Sequence, residues 1–148
     1  ELPAPPPIEV ECMFSVRVNA PQGGLIRIRG RIDRLDRAAG GELLITDYKT
    51  SEIDPDKADF EAEKSLQLKI YALACEVERT EMPVLGRLNY VDSNVVGSTP
   101  LTRQSINDAV DQIVKVADGV RRRDYPARPS SWNCRSCAYR TVCPEVQI

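Results

Sequence analysis

The sequence contains no histidine, so proton transfer or metal ligation in this chain falls to other side chains. It has no strong excess of either charge. Lysine and arginine total 20 against 22 acids, a net charge of −2, so the chain as a whole carries no strong basic signal for a polyanionic partner. No apolar run is long enough to span a membrane, and no charged-then-apolar signal segment is seen, which points away from a membrane partner. Cysteine is sparse and odd in number, five in all, with three clustered near the C-terminus. That pattern argues against a disulfide framework and for metal binding in the reducing cytoplasm. No internal repeat is visible. The length of 148 residues fits one domain with an ordinary core.

Residues 1–7 (ELPAPPP) read as the end of a proline-rich linker. Residues 8–123 read as the core domain, and residues 124–148 as a cysteine-containing tail. Ile8 to Val18 alternates, placing Val10, Cys12, Phe14, Val16 and Val18 on one face of a strand. Pro21 to Gly24 reads as a turn. Leu25 to Leu35 is a second strand, in which Ile26, Ile28 and Ile32 alternate with Arg27, Arg29 and Arg31. Glu42 to Lys49 is a third, joined to the second by a Gly-containing hairpin loop, Arg37 to Gly41. Ser51 to Asp59 is polar and reads as a loop. Phe60 to Arg79 reads as one helix with Leu66, Ile70, Leu73, Ala74 and Val77 buried. Val84 to Val91 is a fourth strand and Asp92 to Pro100 a polar loop. Thr102 to Arg123 reads as a helix, capped by Thr102 or Ser105, with Ile106, Ala109, Val110, Ile113, Val116, Ala117 and Val120 inward. The order gives an α/β domain with a mixed sheet. Cys12 and Cys75 fall at core positions.

Chemistry concentrates between Gly30 and Thr50. With the hairpin turn centred near Ala39 and Gly40, Asp33 falls opposite Thr46 or Asp47, and side chains directly across an antiparallel pair have Cβ atoms about 5 Å apart. Lys49, two residues beyond Asp47, lies on the same face of the same strand. Two carboxylates that close repel each other unless a cation lies between them. A small set of hard oxygen ligands suits Mg²⁺ or Mn²⁺. A lysine beside such an ion serves to orient or deprotonate a water, or to offset transition-state charge. The simpler alternative is a surface hairpin with an Asp–Lys ion pair. Arg27, Arg29, Arg31, Arg34 and Arg37 cluster around the acid pair. From Arg121 onwards, six arginines stand against Asp124 and Glu145. Both groups fit a phosphate-bearing substrate, although surface ion pairs account for any single one of them. Gln67 and Tyr71, four apart, share a face of the following helix.

The motifs GRID, DYKT and QLKIY, in this order and spacing, resemble motifs II, III and IV of the PD-(D/E)XK nuclease superfamily in its RecB-type branch. The resemblance implies a restriction-endonuclease-like core, a mixed central β-sheet flanked by helices. It implies that Asp33 and Asp47 bind Mg²⁺ or Mn²⁺ with the Tyr48 carbonyl, that Lys49 is the catalytic lysine, and that Gln67 and Tyr71 support the site near the DNA backbone. The family's first motif, a His or Glu on a helix ahead of the first strand, has no clear counterpart. Glu9 or Glu11 are substitutes, or else that core helix lies before Glu1.

Cys134, Cys137 and Cys143 follow the spacing C-x2-C-x5-C. Zinc normally takes four ligands, and a [4Fe–4S] cluster usually four cysteines. The spacing resembles the C-terminal part of the iron–sulfur staple of AddB-type and CRISPR-associated RecB-like nucleases, which implies a [4Fe–4S] cluster with a fourth cysteine upstream of this chain. The expected function is therefore a metal-dependent DNA exonuclease domain of repair and recombination, partnered by a helicase domain or subunit. The alternatives are a catalytically silent nuclease fold that binds DNA or acts as a scaffold, and a zinc-ribbon-like module fused to an unrelated α/β domain.

Overall fold

In a computed structural model, residues 6–20 and 23–147 are described. Most of the proline-rich start and half of the Pro21–Gly24 turn lie outside them. The element order is β1 (Glu9–Asn19), β2 (Leu25–Arg37), β3 (Leu43–Lys49), α1 (Pro55–Lys64), α2 (Leu66–Arg79), β4 (Leu85–Tyr90), β5 (Val95–Pro100), α3 (Arg103–Arg122) and α4 (Ser131–Arg135). The strands form one sheet in the order β1-β2-β3-β4-β5. Only the β3–β4 pair is parallel; β1–β2, β2–β3 and β4–β5 are antiparallel. The expected mixed sheet with helices is therefore the observed fold. Two compact units are distinguished, Glu1–Lys115 and Val116–Ile148. No helix among the described residues is long and apolar enough to cross a membrane.

The core of the first unit lies between the sheet and the helices that cover it, α2 over β1, β3 and β4, and α1 against β5. Leu35, Ile45 and Leu68 are fully buried there, each worth about 1.5–3 kcal/mol of hydrophobic stabilisation. Central β3 is buried from Leu43 to Asp47 with no alternation, as expected for a strand covered on both sides.

One irregularity sets up the site. Cys12, Phe14, Val16 and Val18 are buried along β1, but Val10, expected on the same face, is 55% exposed. Between them Glu11 has φ of +55°, a left-handed conformation rare for a non-glycine residue and costing roughly 1–3 kcal/mol. The β1–β2 ladder pairs Val10 with Arg34 and Cys12 with Ile32, skipping Glu11 and Asp33. On β2, Ile32 and Leu35 are both buried although three residues apart, which breaks the strand period of two. Both strands change face together, and Asp33 sits at the change. Just before it, the Phe14 ring lies over Gly30, where an added Cβ would stand 2.6 Å from the ring.

Three expectations need correction. The helix expected over Phe60–Arg79 is two helices, and the first begins at Pro55, inside the stretch Ser51–Asp59 expected as a loop. Asp54 caps α1 by accepting the Asp56 N–H (3.2 Å), with Pro55 in the first turn. Ser65 then ends α1 and caps α2, accepting the Leu68 N–H (3.3 Å), because a serine hydroxyl competes for backbone groups mid-helix. The buried face of α2 is Leu68, Tyr71, Ala72, Ala74 and Cys75, while Val77 is 56% exposed. Second, the loop expected over Asp92–Pro100 holds β5. Asn94, with φ of +52°, turns the chain back on β4, and Gly97 lies under α1, its hypothetical Cβ 2.0 Å from the Ala58 carbonyl oxygen. Third, α3 buries Ile106 and Ala109, but Val116 and Val120 are exposed. Its start is capped as expected, by both candidates reciprocally: Thr102 Oγ1 accepts the Ser105 N–H and Ser105 Oγ the Thr102 N–H, each at 3.1 Å.

Candidate active site

The β2–β3 ladder runs from Arg37↔Leu43 to Arg34↔Thr46. One step further in this register, Asp33 stands across from Asp47. Asp33 Oδ2 accepts the Tyr48 N–H at 2.9 Å, so a side chain continues the ladder where the two strands part. The N–H and C=O of one strand residue project toward the same neighbour. The Tyr48 carbonyl therefore faces the β2 side, beside Asp33, while its side chain is exposed.

Asp47 is 2% exposed on the central strand. Its carboxylate closes a ring with three other side chains. Lys49 Nζ donates to Gln67 Oε1 (2.8 Å), Gln67 Nε2 donates to Tyr71 Oη (2.6 Å), and Tyr71 Oη lies 3.4 Å from Asp47 Oδ1 as donor. Lys49 Nζ closes the ring 2.7 Å from Asp47 Oδ2. That last approach is a charge contact only, because Oδ2 has no hydrogen bond of acceptable geometry and is inaccessible to water. Such a ring fixes which way the Gln67 amide points, and each bond polarises the next. Tyr71 packs edge-on against Phe14, with ring centroids 5.8 Å apart. Burial, and less strongly the negative charges of Asp47 and Asp33, raise its pKa above that of an ordinary phenol, partly offset by the Gln67 bond. The hydroxyl is thus held as a proton donor at neutral pH. Tyr90, in register with Lys49 on β4, is a neighbour the sequence did not disclose, since the partner of a parallel strand is set by a long crossover.

The donor set fits a small hard cation. Two carboxylates and one carbonyl are about half of an octahedral shell, as Mg²⁺ prefers, leaving positions for water and phosphate. The buried Asp47 Oδ2, without a directed partner, is an atom such an ion would satisfy. No further acid joins: among the described residues no three His, Cys, Asp or Glu are grouped to hold a metal. Glu11 is paired with Arg31 (2.6 Å) and Glu9 with Arg79.

That statement extends to the cysteines, whose sulfurs do not converge into a metal-holding group. Cys134 is buried, Cys137 exposed and Cys143 half-buried. They lie on α4 and the turns after it, with Cys134 Sγ accepting the Gln147 N–H at 3.4 Å. Cys12 and Cys75 are core residues as expected, and burial pushes their thiols up to about 11 and about 12.

The chain belongs to the PD-(D/E)XK nuclease superfamily, whose family profile matches residues 2–144. It is 27% identical over 139 residues to the CRISPR-associated exonuclease Cas4 of Saccharolobus solfataricus, an alignment covering 92% of this chain and 60% of that protein. It is 36% identical over 70 residues to an ATP-dependent helicase/deoxyribonuclease subunit of Symbiobacterium thermophilum, covering 45% of this chain and 6% of that protein. The chain thus spans under two thirds of either relative. The crystal structure of SSO0001 superposes with a TM-score of 0.63 at 21% identity over 95% of this chain and 61% of that one, a likeness of fold.

Proposed function

We propose that this domain hydrolyses phosphodiester bonds in DNA as a Mg²⁺- or Mn²⁺-dependent exonuclease, and that it works in repair or recombination beside a helicase domain or subunit. The observation that carries the reading is the buried Asp47 carboxylate, ringed by Lys49, Gln67 and Tyr71 and set across from Asp33. The names of the two relatives support DNA as substrate and a helicase as partner. The cysteine usage supports a cytoplasmic setting.

Asp33, Asp47 and the Tyr48 carbonyl hold the cation, which when bound neutralises phosphate charge and acidifies water. Lys49 keeps its bond to Gln67, and a further N–H of its ammonium donates to the attacking water and orients it toward phosphorus. The water oxygen bonds to phosphorus as the bond to the bridging ester oxygen breaks; the attacking water gives up its proton to solvent, and the leaving oxygen takes a proton from a solvent water to become the alcohol. Gln67 and Tyr71 are positioning residues: Gln67 holds Lys49, and Tyr71 holds one oxygen of Asp47. The test measures Mg²⁺ binding by calorimetry alongside cleavage of a labelled strand. Asp47→Asn should lose both; retention of either with Asp47 replaced refutes the assignment.

We further propose that Cys134, Cys137 and Cys143 supply three thiolates to a [4Fe–4S] cluster, with zinc as the alternative. The C-x2-C-x5-C spacing supports this, as does the backbone N–H at Cys134 Sγ, a bond that ligating sulfurs commonly accept. The cluster would be structural and enter no step of the reaction. Full-length protein purified without oxygen should be brown and contain iron; colourless protein carrying zinc overturns the iron assignment.

A further inference from the structure

Cys12 to Ile32 contains four arginines, 17, 27, 29 and 31, and no acid, in a chain with 22 acids and a net charge of −2. The structure places all four on the outer, exposed row of the β1–β2 hairpin. The sequence groups Arg27 to Arg37 around the acid pair, but partners in the fold divide that group. Arg31 pairs with Glu11 (2.6 Å), Arg34 with Asp36 (2.8 Å) and Arg37 with Glu81 (2.6 Å). Among the described residues, Arg17, Arg27 and Arg29 have no such acid. Arg17 lies directly opposite Arg27 in the ladder, and Arg29 opposite Ser15. Like charges directly opposite each other destabilise a strand pair, so the arrangement lacks a purpose within the fold and calls for an anion outside it.

We infer that Arg17, Arg27 and Arg29 form a track for the sugar–phosphate backbone of a single-stranded nucleic acid, leading along β2 to Asp33. The inference deepens the nuclease reading and rests on it for the direction of the strand. Arg27 and Arg29 are two residues apart, about 6.6 Å, and Arg29 is about 13 Å from Asp33 at the strand rise of about 3.3 Å per residue. Arg27 and Arg29 follow one another along β2 with Arg17 beside Arg27 on β1, a one-sided group of guanidiniums that suits an extended phosphate backbone, which such groups bind with two parallel hydrogen bonds. Guanidiniums engaged with phosphate oxygens leave the bases unread, so binding should be indifferent to sequence.

The test is fluorescence anisotropy of the full chain with a labelled oligothymidine in EDTA, across a salt series. Without metal there is no turnover, so the result is independent of whether Asp47 and Lys49 cleave. The triple variant Arg17→Gln, Arg27→Gln, Arg29→Gln should raise Kd about tenfold or more. It should flatten log K against log salt by about 2, since each phosphate neutralised on a single strand contributes about 0.7. The triple Lys variant should keep most of the slope. Should the Gln triple variant fail to fold, Arg27→Gln alone should flatten the slope by about 0.7. An unchanged Kd and slope, or polyglutamate competing as well as the oligonucleotide, would overturn the track.

Discussion

The corner around Asp47 and the turns around Cys134 both carry chemically active side chains, and they are built by opposite means. At the corner each group is held by an element packed into the core. Asp47 is on the central strand, Lys49 is two residues on, and Gln67 and Tyr71 are on α2, whose Leu68 is fully buried. At the cysteines a five-residue helix and successive turns do the holding, while Trp132, Tyr139 and Val142 are 81%, 73% and 76% exposed. A site on a packed scaffold has its geometry determined by folding. The cysteine turns have few apolar contacts to fix them, so a group bound there would have to set its own geometry.

The largest expected contrast is catalytic. Asp47→Ala should lower cleavage by at least about 10³-fold, and Mg²⁺ should raise the melting temperature of the parent protein but not of the variant. Substituting Cys137→Ser in protein freed of iron and zinc and then assayed with Mg²⁺ should leave cleavage near that of the parent treated the same way; an equal loss there would erase the distinction between the two regions. Lys49→Ala comes next, with a fall of about 10²–10³ in kcat and Mg²⁺ binding retained, because the lysine is not a ligand. Loss of metal binding would reassign it.

Thiol chemistry sharpens the comparison. A raised thiol pKa means less thiolate at a given pH. With pKa values of about 11 and about 12, Cys12 and Cys75 at pH 8 are thiolate in roughly one molecule in 10³ and one in 10⁴, and both are buried. Iodoacetamide should therefore label exposed Cys137 in folded, metal-free protein and spare Cys12 and Cys75 until denaturant is added. Mass spectrometry of the labelled peptides decides. Stability should follow the same division. Gly97→Val, which forces side-chain atoms against the Ala58 carbonyl, should cost about 1–3 kcal/mol by urea unfolding. Cys137→Ser in metal-free protein should stay within about 0.5 kcal/mol.

Much of the corner is already present in the order of residues. A short hairpin loop puts Asp33 across from Thr46 or Asp47, a strand period of two puts Lys49 beside Asp47, and a helical period of 3.6 puts Gln67 with Tyr71. These relations are local, so backbone geometry alone determines them. The strand–strand–strand–helix–strand–helix order is likewise legible, because hydrophobic periodicity within each segment reports its partner face. What misled was also local: the polar residues of β5 resemble a loop because Gly97 gains its place only from α1 above it, and Ser65 breaks a helix whose apolar pattern runs through it. Tertiary structure alone decided the rest. The bond from Lys49 to Gln67, the burial of Asp47, the edge-on packing of Phe14 on Tyr71 and the face change at Glu11 and Asp33 each join segments distant in the chain. The arginines make the point most sharply. Arg27, Arg29, Arg31, Arg34 and Arg37 are equivalent as letters. Only the fold gives the last three an acid and leaves the first two facing outward beside Arg17, because an ion pair needs its partner within about 4 Å and that distance is settled by packing.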